Sequence, residues 1–115
     1  MNSEEKILSL LGLATRGRNV TSGEDQVLDA IRGGKAFLVI VAEDASDNTK
    51  KLFSDKCAYY DIPLKIWGQK ERLGHATGKE IRASMAVTEK GFAEKIVTLI
   101  ENGKDVLRNG KNESI

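Results

Sequence analysis

Two short segments hold the polar groups from which chemistry could be built. One is Leu73-Gly74-His75-Ala76-Thr77-Gly78-Lys79-Glu80. The other, about fifty residues upstream, is Ser22-Gly23-Glu24-Asp25-Gln26-Val27. Each sets glycine and a few polar side chains at the edge of an apolar stretch. Such an edge offers backbone N–H groups and a handful of side chains to an anionic, shaped partner.

Catalysis is harder to assemble from these residues. Hydrolysis or group transfer needs a nucleophile, a base and a charge stabiliser. His75 is the only histidine and lies between glycines in an expected loop. It is either solvated or a contact to a base or phosphate. The stretch Gly74-His75-Ala76-Thr77-Gly78-Lys79 invites comparison with a phosphate-binding P-loop. That loop has four residues between its glycines and Ser or Thr after its lysine. Here three intervene, and Glu80 follows Lys79. Gly74 and Gly78 either cap short elements or let a ligand approach the backbone. No G-x-G-x-x-G is present to hold a dinucleotide. Glu43 and Asp44 follow the most apolar run, where open α/β sheets place their sites. They either hold a cation or cap the next helix, and capping is the favoured expectation. No catalytic residue, metal site or cofactor is expected.

These segments need a scaffold, and apolar spacing supplies one. Asn2 or Ser3 caps a helix from Glu4 to Arg16, with Ile7, Leu10, Leu11 and Ala14 on one face. Gly17 ends it. Residues 19–21 are short and extended. A second helix starts at Ser22 or Gly23 and runs to Arg32, burying Val27, Leu28 and Ile31, until Gly33-Gly34 stops it. The continuous apolar run Ala36 to Ala42 predicts a strand buried on both faces. Ser46 or Asp47 caps a third helix to Tyr60. A strand at Leu64 to Trp67, a short helix at Gln69 to Leu73 ended by Gly74, and a strand at Ser84 to Thr88 follow. A last helix spans Lys90 to Glu101. Helices alternating with buried strands predict an α/β fold, a three-layer α-β-α sandwich around a four-stranded mixed sheet.

Composition sets the remaining bounds. The chain has 115 residues, enough for one domain, which is expected over residues 1–102, with a polar, frayed tail from 103 to 115. Apolar residues make up 40% and aromatics only 5%, so Leu, Ile, Val and Ala must fill the core. The run at residues 36–42 is too short to span a membrane. Glu4-Glu5-Lys6 precede the first apolar residues, unlike a signal peptide. Cys57 stands alone, so it forms no internal disulfide and reads as a small apolar group on a helix face. A cytoplasmic monomer is the expectation. Net charge is only +1, whereas nucleic-acid binders are often strongly basic. The charge is uneven, however. Lys65, Lys70, Arg72, Lys79 and Arg82 fall in one stretch with only Glu71 and Glu80, and Arg16 and Arg18 form a second cluster.

Several spaced motifs together resemble the ribosomal L7Ae/L30e family of RNA-binding proteins. They are Gly23-x-x-Gln26, Ala30-Ile31-x-x-Gly34-Lys35-Ala36, Val41-Ala42-Glu43-Asp44-Ala45, Cys57 followed by Ile62-Pro63, and Leu73-Gly74-x-Ala76-x-Gly78. The leading Leu10-Leu11-Gly12-Leu13-Ala14-x-Arg16 is most similar to a small bacterial branch of that family. The resemblance implies the same α-β-α sandwich. It also implies binding of structured RNA, either ribosomal RNA or a kink-turn, a sharply bent RNA with tandem sheared G·A pairs. The start of the second helix would then meet phosphate and guanine edges, and the loop after Leu73-Gly74 would meet extruded bases.

By that resemblance Gly23 opens the helix and Gln26 holds a position usually Glu or Gln. Asp25 stands where Asn or Lys is usual, and Asp29 where Lys is common. Glu24 adds a third anion. Ile81 matches an apolar stacking position, while Lys79 and Arg82 replace residues often apolar or small. The residues expected to face RNA are Arg16, Arg18, Ser22, Gly23, Glu24, Asp25, Gln26 and Asp29 in the first half. Asp44, Leu73, His75, Lys79, Glu80, Ile81 and Arg82 complete the set. Phosphate affinity is expected to shift towards Arg16, Arg18, Lys79 and Arg82. The alternative is a protein-interaction module, in which Glu24, Asp25 and Asp29 form an acidic face for a basic ribosome-associated partner such as a ribosomal protein.

Overall fold

The computed structural model describes the backbone of residues 2–113 and the side chains of residues 2–103. Its elements are α1 (Ser3–Arg16), β1 (Val20–Ser22), α2 (Glu24–Arg32), β2 (Leu38–Val41), α3 (Asp47–Tyr60), β3 (Leu64–Ile66), α4 (Lys70–Ala76), β4 (Ser84–Val87) and α5 (Lys90–Glu113). The alternation of helix and strand is the one expected.

Helix starts follow from local side-chain chemistry. Asn2 Oδ1 accepts from the Glu5 N–H at 2.8 Å, and Ser46 Oγ accepts from the Thr49 N–H at 3.1 Å. Each cap is worth about 1 kcal/mol. Glu89 accepts from the Gly91 and Phe92 N–H groups at the start of α5. Helix α5 carries helical backbone to Glu113, past its expected end at Glu101. The frayed tail expected from Gly103 falls on this stretch. From residue 104 its side chains, and the last two residues altogether, lie outside the described residues.

The sheet is mixed and four-stranded, in the order β1-β4-β2-β3. β2 and β3 are parallel, while β4 runs antiparallel to both of its neighbours, β1 and β2. β1, β2 and β3 therefore share one direction. β2 and β4 are central and every residue in them is buried, which explains the uninterrupted apolar run. The three-residue edge strands are half-buried.

Helix α1 packs against α4 and α5, and α2 packs against α3, giving the three layers. Ile7, Leu11, Val27, Ile31, Phe53, Met85 and Ile96 are almost fully buried between them. Each such side chain stabilises the fold by about 1.5–3 kcal/mol through apolar burial. Cys57 is buried on the inner face of α3 as expected, and desolvation pushes its thiol up to about 11. Among the described residues, no helix is long and apolar enough to cross a membrane.

Candidate nucleic-acid interface

The carboxyl ends of β1, β2 and β3 gather both polar segments. Strand β1 ends at Ser22, and Gly23 turns the chain into α2. Its backbone has φ +96° and ψ 150°, a conformation only glycine adopts without strain. A Cβ there would also lie 3.1 Å from Gln26 Oε1, so the Gln26 amide folds back over the helix start. The Gly23 N–H donates to the Ser84 carbonyl at 3.2 Å, tying this turn to the start of β4.

No side chain caps α2. Side-chain oxygens serve the first turns of α1 and α3 from their N-caps and of α5 from Glu89. The first turn of α4 is served from a distance, since Asp44 Oδ1 accepts from the Lys70 N–H at 2.9 Å. Among the described residues, α2 thus keeps its leading N–H groups and the positive end of its dipole open at the surface. Glu24, Asp25, Gln26 and Asp29 are all exposed around it.

The second segment is bolted to α4. Thr77, buried, places Oγ1 3.0 Å from the Leu73 carbonyl and 3.1 Å from the Gly74 carbonyl, donating to that pair. The Lys79 N–H donates to the Gly74 carbonyl at 2.7 Å, and the Arg82 N–H to the Lys70 carbonyl at 3.0 Å. The loop of residues 77–82 is therefore held at both ends. It leaves the apolar side chain of Ile81 56% exposed. Arg82 Nε donates to Ser22 Oγ at 2.9 Å, and its Nη1 donates to the Ile81 carbonyl at 2.8 Å. This contact joins Ser22, the first residue of the upstream segment, to Arg82, two residues beyond the end of the downstream one.

Several expectations require correction. Gly74 does not end α4; it lies buried within it. A Cβ on Gly74 would fall 2.5 Å from the Glu80 carbonyl oxygen, so glycine is needed for the loop to pack on the helix. Leu73 is 0% exposed and packs in the core, beneath Gly68, so its side chain is not available to RNA. His75 stands on the last turn of α4 rather than in a loop, and is exposed. Asp44 does not cap α3, because Ser46 does. Asp44 and Glu43 instead receive the Lys70 and Gly68 N–H groups and fix the approach to α4.

Arg16 and Arg18 also part company. Arg18 has φ +63°, a left-handed turn that redirects the chain after α1. It lines a depression of about 360 Å³ with Gln26, Asp29 and Lys35, beside the α2 start. Arg16 lines a groove of about 1030 Å³ between α1 and α4 that also holds Asp44 and His75. Lys35 belongs to the Gly34-Lys35-Ala36 motif but is not among the residues expected to face RNA. Its signal was its position just after the Gly33-Gly34 stop, which returns the chain beside α2. Lys79 and Glu80 are exposed at the loop tip.

Residues 5–97 match the model of the ribosomal protein L7Ae/L30e/S12e/Gadd45 family. The chain belongs to that family. Among family relatives, RNA-binding protein YlxQ of Bacillus subtilis (strain 168) is 50% identical over 92 residues, covering 80% of this chain and 92% of YlxQ. A solved structure described as a protein with unknown function from Bacillus halodurans C superposes with a TM-score of 0.81 at 46% identity, covering 84% of this chain and 97% of that one. The Giardia lamblia 15.5kD RNA binding protein shares the fold, with a TM-score of 0.73 at 23% identity over 87% of this chain and 88% of that one. The L7Ae/L30e fold accounts for the α-β-α layers.

Proposed function

We propose that this chain is a non-catalytic RNA-binding protein that holds structured, kink-turn-like RNA between the start of α2 and the loop of residues 77–82. The observation that carries this reading is the open N-terminus of α2, the one helix start among the described residues that no side-chain oxygen serves. Free N–H groups and a positive dipole end suit a phosphate. Beside them, the Gln26 amide has both a donor and an acceptor for a guanine edge. Ile81 offers an exposed apolar face against which an extruded base packs. Arg82 spends two of its five donors on Ser22 and Ile81 and keeps the rest for phosphate. The L7Ae/L30e membership and the RNA-binding names of its relatives support the same partner.

The test is a titration of the purified protein against a consensus kink-turn RNA and a plain duplex of equal length, each at two salt concentrations. The proposal expects preference for the kink-turn and a loss of affinity with salt from counterion release. Equal, weak binding to both RNAs would contradict it.

A further inference from the structure

The end of the sheet away from Gly23 carries an unusual share of the chain's aromatic surface. The chain has one Trp, two Tyr and three Phe. Of these, Phe37, Tyr59 and Tyr60 are 43%, 82% and 39% exposed, and all three lie at this one end. Phe37 stands just before β2, and its N–H donates to the carbonyl of Val87, the last residue of β4. Tyr59 and Tyr60 close α3 with their rings edge-to-face, centroids 4.9 Å apart. Asp61 follows as the left-handed C-cap at φ +58°.

A groove of about 610 Å³ opens here between Phe37, the turn after α3 and the first turns of α5. Ile62, Pro63, Ala93 and Val97 make it apolar. Phe37 lines this apolar groove, and the exposed Tyr59–Tyr60 pair immediately precedes its Asp61, a composition that suits a protein contact, where Tyr and Phe are enriched. Neither the α2 start nor the 77–82 loop uses any of these residues.

Charge selects the occupant. Among the described residues, Asp61 and Glu94 line the groove against the single cation Lys90. Helix α3 ends and α5 begins at this groove, so their opposite dipole ends offset, and the sign of the charge is set by Asp61 and Glu94 against Lys90. Unlike the α2 start, this net negative groove has no unserved helix N–H groups to offset its carboxylates, because Glu89 already accepts from the Gly91 and Phe92 N–H groups, so it disfavours phosphate, nucleic acid and anionic membrane. It attracts a cation whose aliphatic stem lies along apolar surface and whose charge meets carboxylates or ring faces.

We propose that this groove docks a basic, leucine-containing segment of a partner protein. β4 links the two sites. Ser84 at its start accepts the Gly23 N–H, and Val87 at its end accepts the Phe37 N–H. The protein therefore presents an anion-seeking surface at one end of this strand and a cation-seeking groove at the other. RNA and a basic protein segment bind without competing.

The experiment uses the full chain and two fluorescent synthetic peptides, one of leucines among lysines and arginines, the other with every cation replaced by glutamate. Anisotropy titrations are run on wild type, on Tyr59→Ala, and on the double variant Asp61→Asn with Glu94→Gln. Asparagine tolerates the left-handed backbone, so the double variant removes charge and keeps the turn. The basic peptide binds more tightly than the acidic one, and each variant weakens it about three- to fivefold, the scale of a surface cation–π or ion pair. Kink-turn RNA affinity stays unchanged in the same variants, which separates this groove from the RNA surface. Equal binding of the two peptides, or basic-peptide binding indifferent to both variants, overturns the proposal. So does a single-stranded RNA oligonucleotide that binds wild type and is lost in Tyr59→Ala, or a dimer of this chain that Tyr59→Ala dissolves.

Discussion

Arg82 Nε donates to Ser22 Oγ at 2.9 Å across sixty positions of sequence. The contact joins the last residue of β1 to the end of the loop that follows α4. A guanidinium suits this place because its planar fork serves Ser22 and the Ile81 carbonyl together and still faces outward. The spacing between the α2 start and Ile81 is thereby fixed before any ligand arrives, which reduces the ordering cost of binding.

Replacing Arg82 with alanine removes both the tether and a phosphate donor. RNA affinity should fall about tenfold, and the log–log salt dependence should lose about one unit of slope. Arg82→Lys keeps the charge but not the fork, so it should preserve most of the slope while losing part of the affinity. Titrations across a salt series separate the two.

Gly74→Ala tests which of two opposed effects wins. Helix propensity alone favours alanine by about 1 kcal/mol. The new Cβ, however, would sit 2.5 Å from the Glu80 carbonyl oxygen and 2.7 Å from its carbon, both backbone atoms that cannot rotate away. Overpacking of this kind costs about 1–3 kcal/mol. Urea unfolding should show net destabilisation, and RNA binding should weaken because the loop carrying Ile81 and Arg82 must move.

Asp25 and Asp29 place two exposed carboxylates on α2 near the proposed phosphate path. Asp25→Lys combined with Asp29→Lys should raise kink-turn affinity and steepen its salt dependence by up to about two units. Unchanged RNA affinity would mean that this face of α2 does not meet RNA. Loss of a basic ribosomal-protein partner in the same variant would assign the acids to that partner instead.

Burial shields the Cys57 thiol from reagents and pushes it up to about 11. The native protein should resist alkylation by iodoacetamide at pH 7 and react rapidly once unfolded in urea. The sign of the pH effect follows from the same shift. Above about 9 the unfolded thiol loses its proton while the folded one keeps it, so stability falls as pH rises from about 9 to about 11. Cys57→Ala should flatten that part of the stability–pH curve.

What was legible in the sequence was what local pattern controls. The run Ala36 to Ala42 reads as a doubly buried strand because β2 sits in the middle of the sheet. The starts of α1 and α3 read to within one residue, at Asn2 or Ser3 and at Ser46 or Asp47, because side-chain capping acts over three residues, and Asn2 and Ser46 are the caps. What was not legible depends on distant partners. Gly74 reads as a helix stop, since only the folded chain brings the Glu80 carbonyl against it. Asp44 reads as a cap for the helix next in sequence, whereas its partner is the Lys70 N–H. Arg16 and Arg18 read as one cluster until the left-handed turn at Arg18 sends them to different surfaces. The tether from Arg82 to Ser22 has no sequence signature at all.

The most direct measurement is an amide chemical-shift titration of the labelled protein with kink-turn RNA. The largest shifts should fall at the N–H groups of Glu24, Asp25 and Gln26, together with those of Ile81 and Arg82, with little change near Phe37 and Tyr59. Shifts concentrated instead along the α1–α4 groove, around Arg16 and His75, would contradict RNA binding at the α2 start.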